Sequence, residues 1–176
     1  MLLNVMNKNI SIREIELSDI KTINTWRNDQ QEIELLCTNF RFINEEIDQD
    51  WYKNYIKNRF ENIRLAICSN NNELIGLLYI LNIDYINRNA EFSIWIGNLT
   101  YRGKGYGELG CKVALNHAFN NINLHKIYLR VLETNKAAIS LYKKIGFKIE
   151  GISRESLFKN GKYLNVLEMS ILKNEF

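Results

Sequence analysis

The feature that most constrains this chain is a glycine-rich turn between an apolar stretch and an amphipathic one. The turn, Tyr101–Gly107, has the sequence YRGKGYG. Residues 90–96 before it have the apolar character of a buried strand, and residues 108–119 after it have the pattern of a helix. Glycines let a backbone turn sharply, and a helix N-terminus presents unpaired N–H groups and a partial positive charge. The segment therefore predicts a phosphate-binding strand–loop–helix unit, to which Arg102 and Lys104 add full charges.

Two common phosphate loops can be compared with this turn. The nucleotide-hydrolase loop needs Gly-x-x-x-x-Gly-Lys followed by Ser or Thr, and the chain has no such run. The dinucleotide fingerprint Gly-x-Gly-x-x-Gly is matched by Gly105, Gly107 and Gly110. That fingerprint, however, belongs after the first strand of a parallel fold, with an acidic residue about 20 residues later. Here the turn lies late in the chain, and residues 128–131 offer no acid before Glu133, so we set this interpretation aside.

The periodicity of the rest of the chain predicts one mixed α/β domain over residues 1–176, with a single sheet and helices on both faces. Ser18 and Asn44 are predicted helix caps, and Asn160-Gly161 is a predicted hairpin turn. The expected strands are 10–15, 64–69, 74–83, 89–97, 126–132, 147–150 and 164–172, and the expected helices are 18–26, 29–36, 45–58, 107–120 and 135–145.

Composition limits the possible partners and the location. The chain has 176 residues, 46% of them hydrophobic, which is enough for one sizeable core. A net charge of +3 gives no reason to expect nucleic acid or a membrane surface as partner. Residues 1–7 are too short and too polar for a signal peptide, and no apolar run is long enough to span a bilayer. We therefore expect a cytoplasmic protein.

Cysteine and histidine do not suggest a metal site. Cys37, Cys68 and Cys111 are far apart and odd in number, and His117 and His125 show no ligand spacing. Without a secretion signal, the cysteines are expected to be reduced thiols. Cys111 lies inside the helix after the glycine turn and is expected to be a core residue rather than a nucleophile. We expect no metal.

Two signatures in order point to a family. The frame Arg102-x-x-Gly105-x-Gly107 resembles the acetyl-CoA pyrophosphate loop of the GNAT superfamily of N-acetyltransferases. About 30 residues later, Asn135 to Phe147 resembles the second signature of that family, an Asn-x-x-Ala-x-x-x-Tyr helix that closes on Gly-Phe. The tail from Glu150 resembles the branch that acetylates ribosomal proteins and polyamines. The resemblance covers roughly residues 9–173 and implies a mixed sheet splayed in its middle.

The resemblance also implies the position of acetyl-CoA and the catalytic groups. Acetyl transfer to an amine must remove a proton from an ammonium of pKa about 10, stabilise an oxyanion, and protonate a thiolate whose conjugate acid has a pKa of about 8.5. Tyr142 is the expected general acid, and Glu91 is the expected base, directly or through water. An ordered water without a single base is the alternative. The residues expected to hold the cofactor are Ile94, Trp95, Ile96, Arg102, Gly103, Lys104, Gly105, Tyr106, Gly107 and Asn135.

The sequence leaves the amine acceptor open. Residues 29–50 are strongly acidic, and Glu32 and Glu34 are candidate ligands of a polyamine. By contrast, the stretch that contains Trp26 and Arg27 resembles the one in family members that acetylate nucleotide-linked amino sugars. In those members, aromatic rings stack on the sugar or base, and arginine holds the phosphate. A protein N-terminus is a third acceptor. A non-catalytic acyl-CoA sensor is the competing class of function, and the resemblance also suggests a homodimer.

Overall fold

The described residues of this protein form one sheet of eight strands. The computed structural model describes residues 2–5 and 8–176, with side chains from residue 10 onward. The strands are β1 (Leu2–Val5), β2 (Lys8–Glu14), β3 (Ile63–Cys68), β4 (Leu74–Asp84), β5 (Asn89–Trp95), β6 (Lys126–Leu132), β7 (Lys148–Lys159) and β8 (Lys162–Leu172). Their order is β1-β2-β3-β4-β5-β6-β8-β7. Among the described strands, β5 and β6 are parallel, and the other neighbouring pairs are antiparallel.

In the part of the chain that the structure describes, five α-helices connect or cover the strands: α1 (Ile20–Arg27), α2 (Gln30–Glu34), α3 (Glu45–Lys57), α4 (Tyr106–Asn116) and α5 (Lys136–Ile145). A π-helical turn, His117–Asn121, follows α4. Short 3₁₀ turns lie at Leu17–Asp19, Arg59–Glu61, Leu99–Tyr101 and Lys173–Glu175. Asn44 caps α3 as predicted, because its side chain accepts a hydrogen bond from the Ile47 N–H at 3.0 Å. Gly146, with φ of 117°, ends α5 in the left-handed conformation that glycine favours.

The two faces of the sheet bury separate cores, which follows from the alternation of side chains along β4. Ile75 and Leu78 face a core that contains residues of α4 and α5. Leu74 and Leu77 face a second core, which contains residues of α1 and α3. The register of β3 with β4 shifts near Gly76, so the alternation is interrupted there. Helices on both faces of one mixed sheet confirm the predicted fold class.

The parallel pair β5–β6 opens into a wedge. The two strands pair only from Asn89↔Lys126 to Glu91↔Tyr128. Beyond that point each strand keeps its outer neighbour, since Trp95 pairs with β4 and Leu132 pairs with β8. The splay expected from the family resemblance is therefore present, and it places the C-terminal ends of β5 and β6 on either side of a cleft.

Three local predictions can be compared with the structure, and two of them were wrong. Ser18 does not cap α1, because the chain first makes a 3₁₀ turn in which the carboxylate of Asp19 accepts the Glu16 N–H at 2.8 Å and pairs with Arg13. Strand β7 reaches residue 159 rather than 150. Its register shifts twice and Glu155 has φ of 49°, so its sequence does not alternate. The predicted Asn160-Gly161 turn is confirmed, with φ of 51° and 76°.

At the other end of the chain, β1 was not predicted. Of the first seven residues, in which we saw no signal peptide, 1, 6 and 7 lie outside the described residues. Within the described part of the chain, no helix is long and apolar enough to cross a membrane.

Candidate active site

The glycine turn joins β5 to α4 in the geometry expected of an anion site. Asn98 caps the 3₁₀ turn before it by accepting the Thr100 N–H at 3.0 Å. Gly103 and Gly105 have φ of 69° and 84°, a region that side chains of L-residues strongly disfavour. Gly105 is also the N-cap of α4. The N-terminal end of a helix carries a partial positive charge, so the start of α4 is suited to an anion that binds beside the turn.

Two adjoining cavities share a wall at the splay of the sheet. The first, which we call the loop groove, has a volume of about 350 Å³ and runs along the glycine turn. The second, the inner pocket, has a volume of about 360 Å³ and lies between β4, β5, β6 and the segment after α2. Both are lined by Leu35, Ile94, Trp95, Asn135, Ala138 and Tyr142. A molecule in one cavity can therefore reach a molecule in the other at these shared residues.

The loop groove collects most of the predicted cofactor residues. Its lining includes Arg102, Gly103, Gly105 and Gly107, together with the predicted strand residues Ile94, Trp95 and Ile96. Lys104 is exposed on the turn. The ring of Tyr106 packs edge-on against Tyr101, with ring centroids 5.3 Å apart.

Arg102 is held in place by protein groups. Its Nε donates to the carbonyl oxygen of Ile96 at 2.8 Å, and its Nη2 forms an ion pair with the carboxylate of Glu32. The indole N–H of Trp95 donates to the same carboxylate at 3.3 Å. Glu32 is buried, and desolvation raises its pKa, although the charge of Arg102 acts in the opposite direction. Glu32 was predicted to bind the acceptor, but the structure places it in the loop groove.

Asn135 and Tyr142 stand where the two cavities meet. The side chain of Asn135 caps α5 by accepting the Ala138 N–H at 3.1 Å, and its amide donates to the carbonyl of Leu35 at 3.1 Å. Tyr142 is 6% exposed and its ring packs on Phe147, with centroids 5.7 Å apart. Burial raises the pKa of Tyr142 well above its ordinary value, so the phenol stays protonated at physiological pH. The structure thus brings both residues to the wall that the two cavities share.

Glu91 lies at the vertex of the splay, in the last pair that joins β5 to β6. Its carboxylate accepts a hydrogen bond from Asn82 Nδ2 at 3.2 Å, and the residue lines the inner pocket. Glu91 and Tyr142 therefore border the same pocket.

The inner pocket is lined by three arginines, and only one of them was predicted from the sequence. Arg27, predicted to contact the acceptor, lines it together with Arg64 and Arg130. Arg27 forms an ion pair with Asp48, which is completely buried. The guanidinium of Arg64 lies between the rings of Trp51 and Tyr79, at 4.9 Å and 4.7 Å from their centroids.

The environment of Arg64 is unusual for an arginine. Desolvation lowers its pKa, and its Nε is buried without a hydrogen-bond partner among the described residues. In the sequence, Arg64 and Arg130 are single cations in predicted strands, and nothing in the sequence distinguishes such cations from solvent-facing ones.

Two predicted acceptor residues are not in either cavity. Trp26 is buried in the second core, where it packs edge-on against Trp95 with centroids 5.6 Å apart. Its ring occupies the space beside Gly97, where a Cβ would lie 2.2 Å from it. Glu34 is exposed, and its backbone carbonyl accepts a hydrogen bond from Lys159. The acidic character of residues 29–50 thus does not form a wall of the inner pocket.

Cys111 is a core residue, as expected. It is completely buried in the first core, and burial raises the pKa of its thiol. A buried thiol of raised pKa is a poor nucleophile, so Cys111 is not a candidate for a covalent enzyme intermediate.

Fold and site together define an acyltransferase, and comparison with known proteins agrees. A family model described as an acetyltransferase (GNAT) domain matches residues 9–148, so the chain belongs to this family and is an acetyl-CoA-dependent N-acetyltransferase. It is 34% identical to spermidine N(1)-acetyltransferase of Vibrio cholerae over 97% of each chain. It is 35% identical to spermidine N(1)-acetyltransferase of Escherichia coli K12, over 72% of this chain and 67% of that protein.

A solved structure is also similar to this fold. The crystal structure of the Vibrio cholerae spermidine N-acetyltransferase in complex with CoA and spermine matches with a TM-score of 0.89 and 31% sequence identity. The match covers 94% of this chain and 96% of that one.

Proposed function

We propose that this protein transfers the acetyl group of acetyl-CoA to a primary amine of a small molecule, by direct attack of the amine. The observation that carries the proposal is that the loop groove and the inner pocket meet at Tyr142. The loop groove runs along the glycine turn, and the inner pocket contains the carboxylate of Glu91. Such an arrangement brings two substrates together at one acid and one base.

The residues of the loop groove fit the diphosphate of acetyl-CoA. Gly103 has open space where a Cβ would project, so its backbone allows close approach of a ligand. The N-terminus of α4 and the guanidinium of Arg102 supply donors and positive charge. Acetyl-CoA supplies an activated thioester. The N–H groups near Trp95 and Ile96 are our candidates for stabilising the oxyanion.

Tyr142 acts on the departing sulfur. As the amine nitrogen bonds to the carbonyl carbon and the C–S bond breaks, the electron pair of that bond goes to sulfur, and the Tyr142 hydroxyl donates to it. Because its pKa is raised well above the thiol value of about 8.5, full proton transfer from Tyr142 is uphill. We therefore assign Tyr142 first a hydrogen bond that stabilises the thiolate. The proton passes to sulfur as negative charge accumulates there, and solvent then returns a proton to Tyr142.

Glu91 accepts the proton that the amine must lose, directly or through a water molecule. Its position at the vertex of the splay places the residue at the inner pocket, on the acceptor side of Tyr142. A carboxylate there also attracts an ammonium group before deprotonation. The proton leaves to solvent after transfer.

A polyamine is the first acceptor that we propose. The support comes from relatives named spermidine N(1)-acetyltransferase, one of which matches 97% of this chain, and from the structural match with a CoA and spermine complex. Within the inner pocket, Glu91 provides the carboxylate that an ammonium group needs.

A nucleotide-linked amino sugar is the second candidate, and the arginines of the inner pocket favour it. Arg64 and Arg130 have no carboxylate partner in the described part of the chain, in contrast to Arg27. A cluster of guanidinium groups repels the distal ammonium groups of a polyamine and attracts phosphate oxygens. The aromatic rings around Arg64 offer faces on which a base or sugar can stack.

A thiol-release assay separates these candidates. The panel contains spermidine, spermine, a UDP-linked 4-amino sugar, the same free sugar, and a peptide with a free N-terminus. Arg130→Gln should raise the KM of a nucleotide-linked sugar about 10-fold, the loss of one charge-assisted contact. The same change should leave the KM of spermidine unchanged or lower it. Arg154→Gln, an exposed arginine of β7, is the control. CoA binding without turnover of any acceptor would instead favour the sensor.

Three further expectations remain predictions. The family resemblance suggests a homodimer and cytoplasmic action, and the whole chain is expected to fold as one unit. Size-exclusion chromatography with light scattering measures the oligomeric state. A single cooperative thermal transition would indicate that the whole chain folds as one unit.

A further inference from the structure

The segment from Glu32 to Thr38, which we call the bridge segment, belongs to both cavities. Glu32 and Leu35 line the loop groove, while residues 35–38 line the inner pocket. The segment contains the end of the five-residue helix α2 and the irregular turn after it. A short helix gains little stability from its own hydrogen bonds, so its position must be set by contacts with other elements.

Lys159 supplies an unusually complete set of such contacts. Its Nζ donates to the carbonyl oxygens of Ile33, Glu34 and Leu36, at 2.7, 2.9 and 2.8 Å. An ammonium has three protons, and all three have an acceptor here. These carbonyls belong to the last turn of α2 and to the residues just after it, at the helix end that carries a partial negative charge. Lys159 thus caps α2 from the end of strand β7, more than 120 residues later in the chain.

The burial of Lys159 shows that this contact is specific. The residue is 8% exposed, although lysine almost always keeps its charge in water. Desolvation lowers its pKa accordingly. A buried ammonium is tolerated only when its hydrogen bonds are satisfied, so moving the bridge segment away from Lys159 would leave a buried charge without partners.

Two more side chains fasten the same segment from different elements. Arg102, in the glycine turn, forms the ion pair with Glu32, and Asn135, at the start of α5, donates to the carbonyl of Leu35 at 3.1 Å. Both of those residues border the loop groove, whereas Lys159 lies outside the linings of the loop groove and the inner pocket. The role of Lys159 can therefore be tested without altering a group in either lining.

We propose that Lys159 is a positioning residue for acetyl transfer: by holding three carbonyls of the bridge segment, it fixes the wall against which the acceptor amine is oriented. The inference rests on the proposed function, since it takes the inner pocket to be the acceptor site. It predicts that the hairpin of β7 and β8 determines acceptor binding from a distance.

The test compares Lys159→Met and Lys159→Gln with the wild type. Lys162→Met is the matched control, because Lys162 pairs with Lys159 across the hairpin but is exposed. In Lys159→Met we expect amide hydrogen exchange of residues 33–38 to accelerate and the acceptor KM to rise, each by about 10-fold. The Kd of acetyl-CoA, measured by calorimetry, should change less than about 3-fold, because the glycine turn keeps its structure. Lys159→Gln should lie between Lys159→Met and the wild type, since an amide replaces part of the donor set.

Several results would overturn the inference. One is an unchanged exchange rate at residues 33–38 in both variants; another is faster exchange with an unchanged acceptor KM. A uniform loss of thermal stability with kcat and KM both preserved would mean that Lys159 is only structural. If Lys159→Met does not fold, the same measurements are made on Lys159→Gln, with Lys162→Met as the control. Failure of the proposed function is distinct, because it appears as a wild type without turnover, while the exchange comparison still tests the bridge segment.

Discussion

The loop groove and the inner pocket are made in different ways. The loop groove is formed by a glycine turn and a helix N-terminus, so its shape depends on the positive φ angles of Gly103 and Gly105. The inner pocket is made of side chains from several elements that are distant in sequence, among them Arg27, Arg64, Glu91 and Arg130. The first kind of site leaves a contiguous sequence signature. The second depends on tertiary packing, which is why its charge was not visible in the sequence.

The largest expected effect lies at the junction of the two cavities. Tyr142→Phe should lower kcat by about 100-fold or more, the usual contribution of a positioned proton donor. The Kd of acetyl-CoA should change little, because the ring keeps its packing against Phe147. Steady-state kinetics and calorimetry on the same preparation check this, and turnover equal to that of the wild type would remove Tyr142 as the donor.

A backbone change should damage the loop groove alone. Gly105→Ala places a side chain at φ of 84° and is expected to weaken acetyl-CoA binding by about 10-fold, together with a stability loss of about 1 kcal/mol. Gly161→Ala is the matched control, because its φ is 76° and it lies in the turn between β7 and β8. Equal thermal destabilisation with a weakened Kd in Gly105→Ala only would confirm the assignment. Equal Kd values in the two variants would contradict it.

The smallest of these effects concerns the carboxylate of Glu32, which pairs with Arg102 in the loop groove. Glu32→Gln removes the negative charge beside Arg102, so the affinity for acetyl-CoA should rise about 3-fold. The pKa of Glu32 is raised, so its carboxylate becomes neutral at a higher pH than an ordinary glutamate. The difference between wild type and Glu32→Gln should therefore be full above that raised pKa and shrink as the pH falls through it.

The exposed Glu34, two residues along the same helix, provides the control for this measurement. Glu34→Gln should leave the Kd of acetyl-CoA unchanged across the same pH range. An equal gain in affinity in both variants would mean that general charge, rather than the contact with Arg102, is responsible.

Much of the fold followed from local patterns. The amphipathic period of α5, the cap at Asn44 and the Asn160-Gly161 turn are set by neighbouring residues, and the structure has them where they were predicted. Strand β7 was predicted too short, because its shifts of register break the alternation on which strand prediction depends. The predicted cap at Ser18 failed because a more distant residue, Arg13, holds Asp19 instead.

The residues of the candidate site also differ in whether local sequence or distant contacts determine them. Tyr142, Asn135 and the glycine turn could be named from the sequence because each belongs to a short motif. Trp26 and Glu34, which were predicted to contact the acceptor, lie outside both cavities, because the sequence does not show which side chains of α1 and α2 turn toward the cores or the solvent. The buried Lys159 had no sequence signal, because a lysine in a hairpin is normally a solvated residue.

The short parallel pairing of β5 with β6 has a consequence for how specificity can evolve. Beyond Glu91 and Tyr128 the two strand edges face a cleft rather than each other, so their peptide groups can pair with a ligand that carries amides of its own, much as an added strand would. Affinity gained in this way depends on the backbone, and side chains along the cleft can change without losing it. Such a protein can exchange one acceptor for another by mutating the inner pocket while the donor site stays constant.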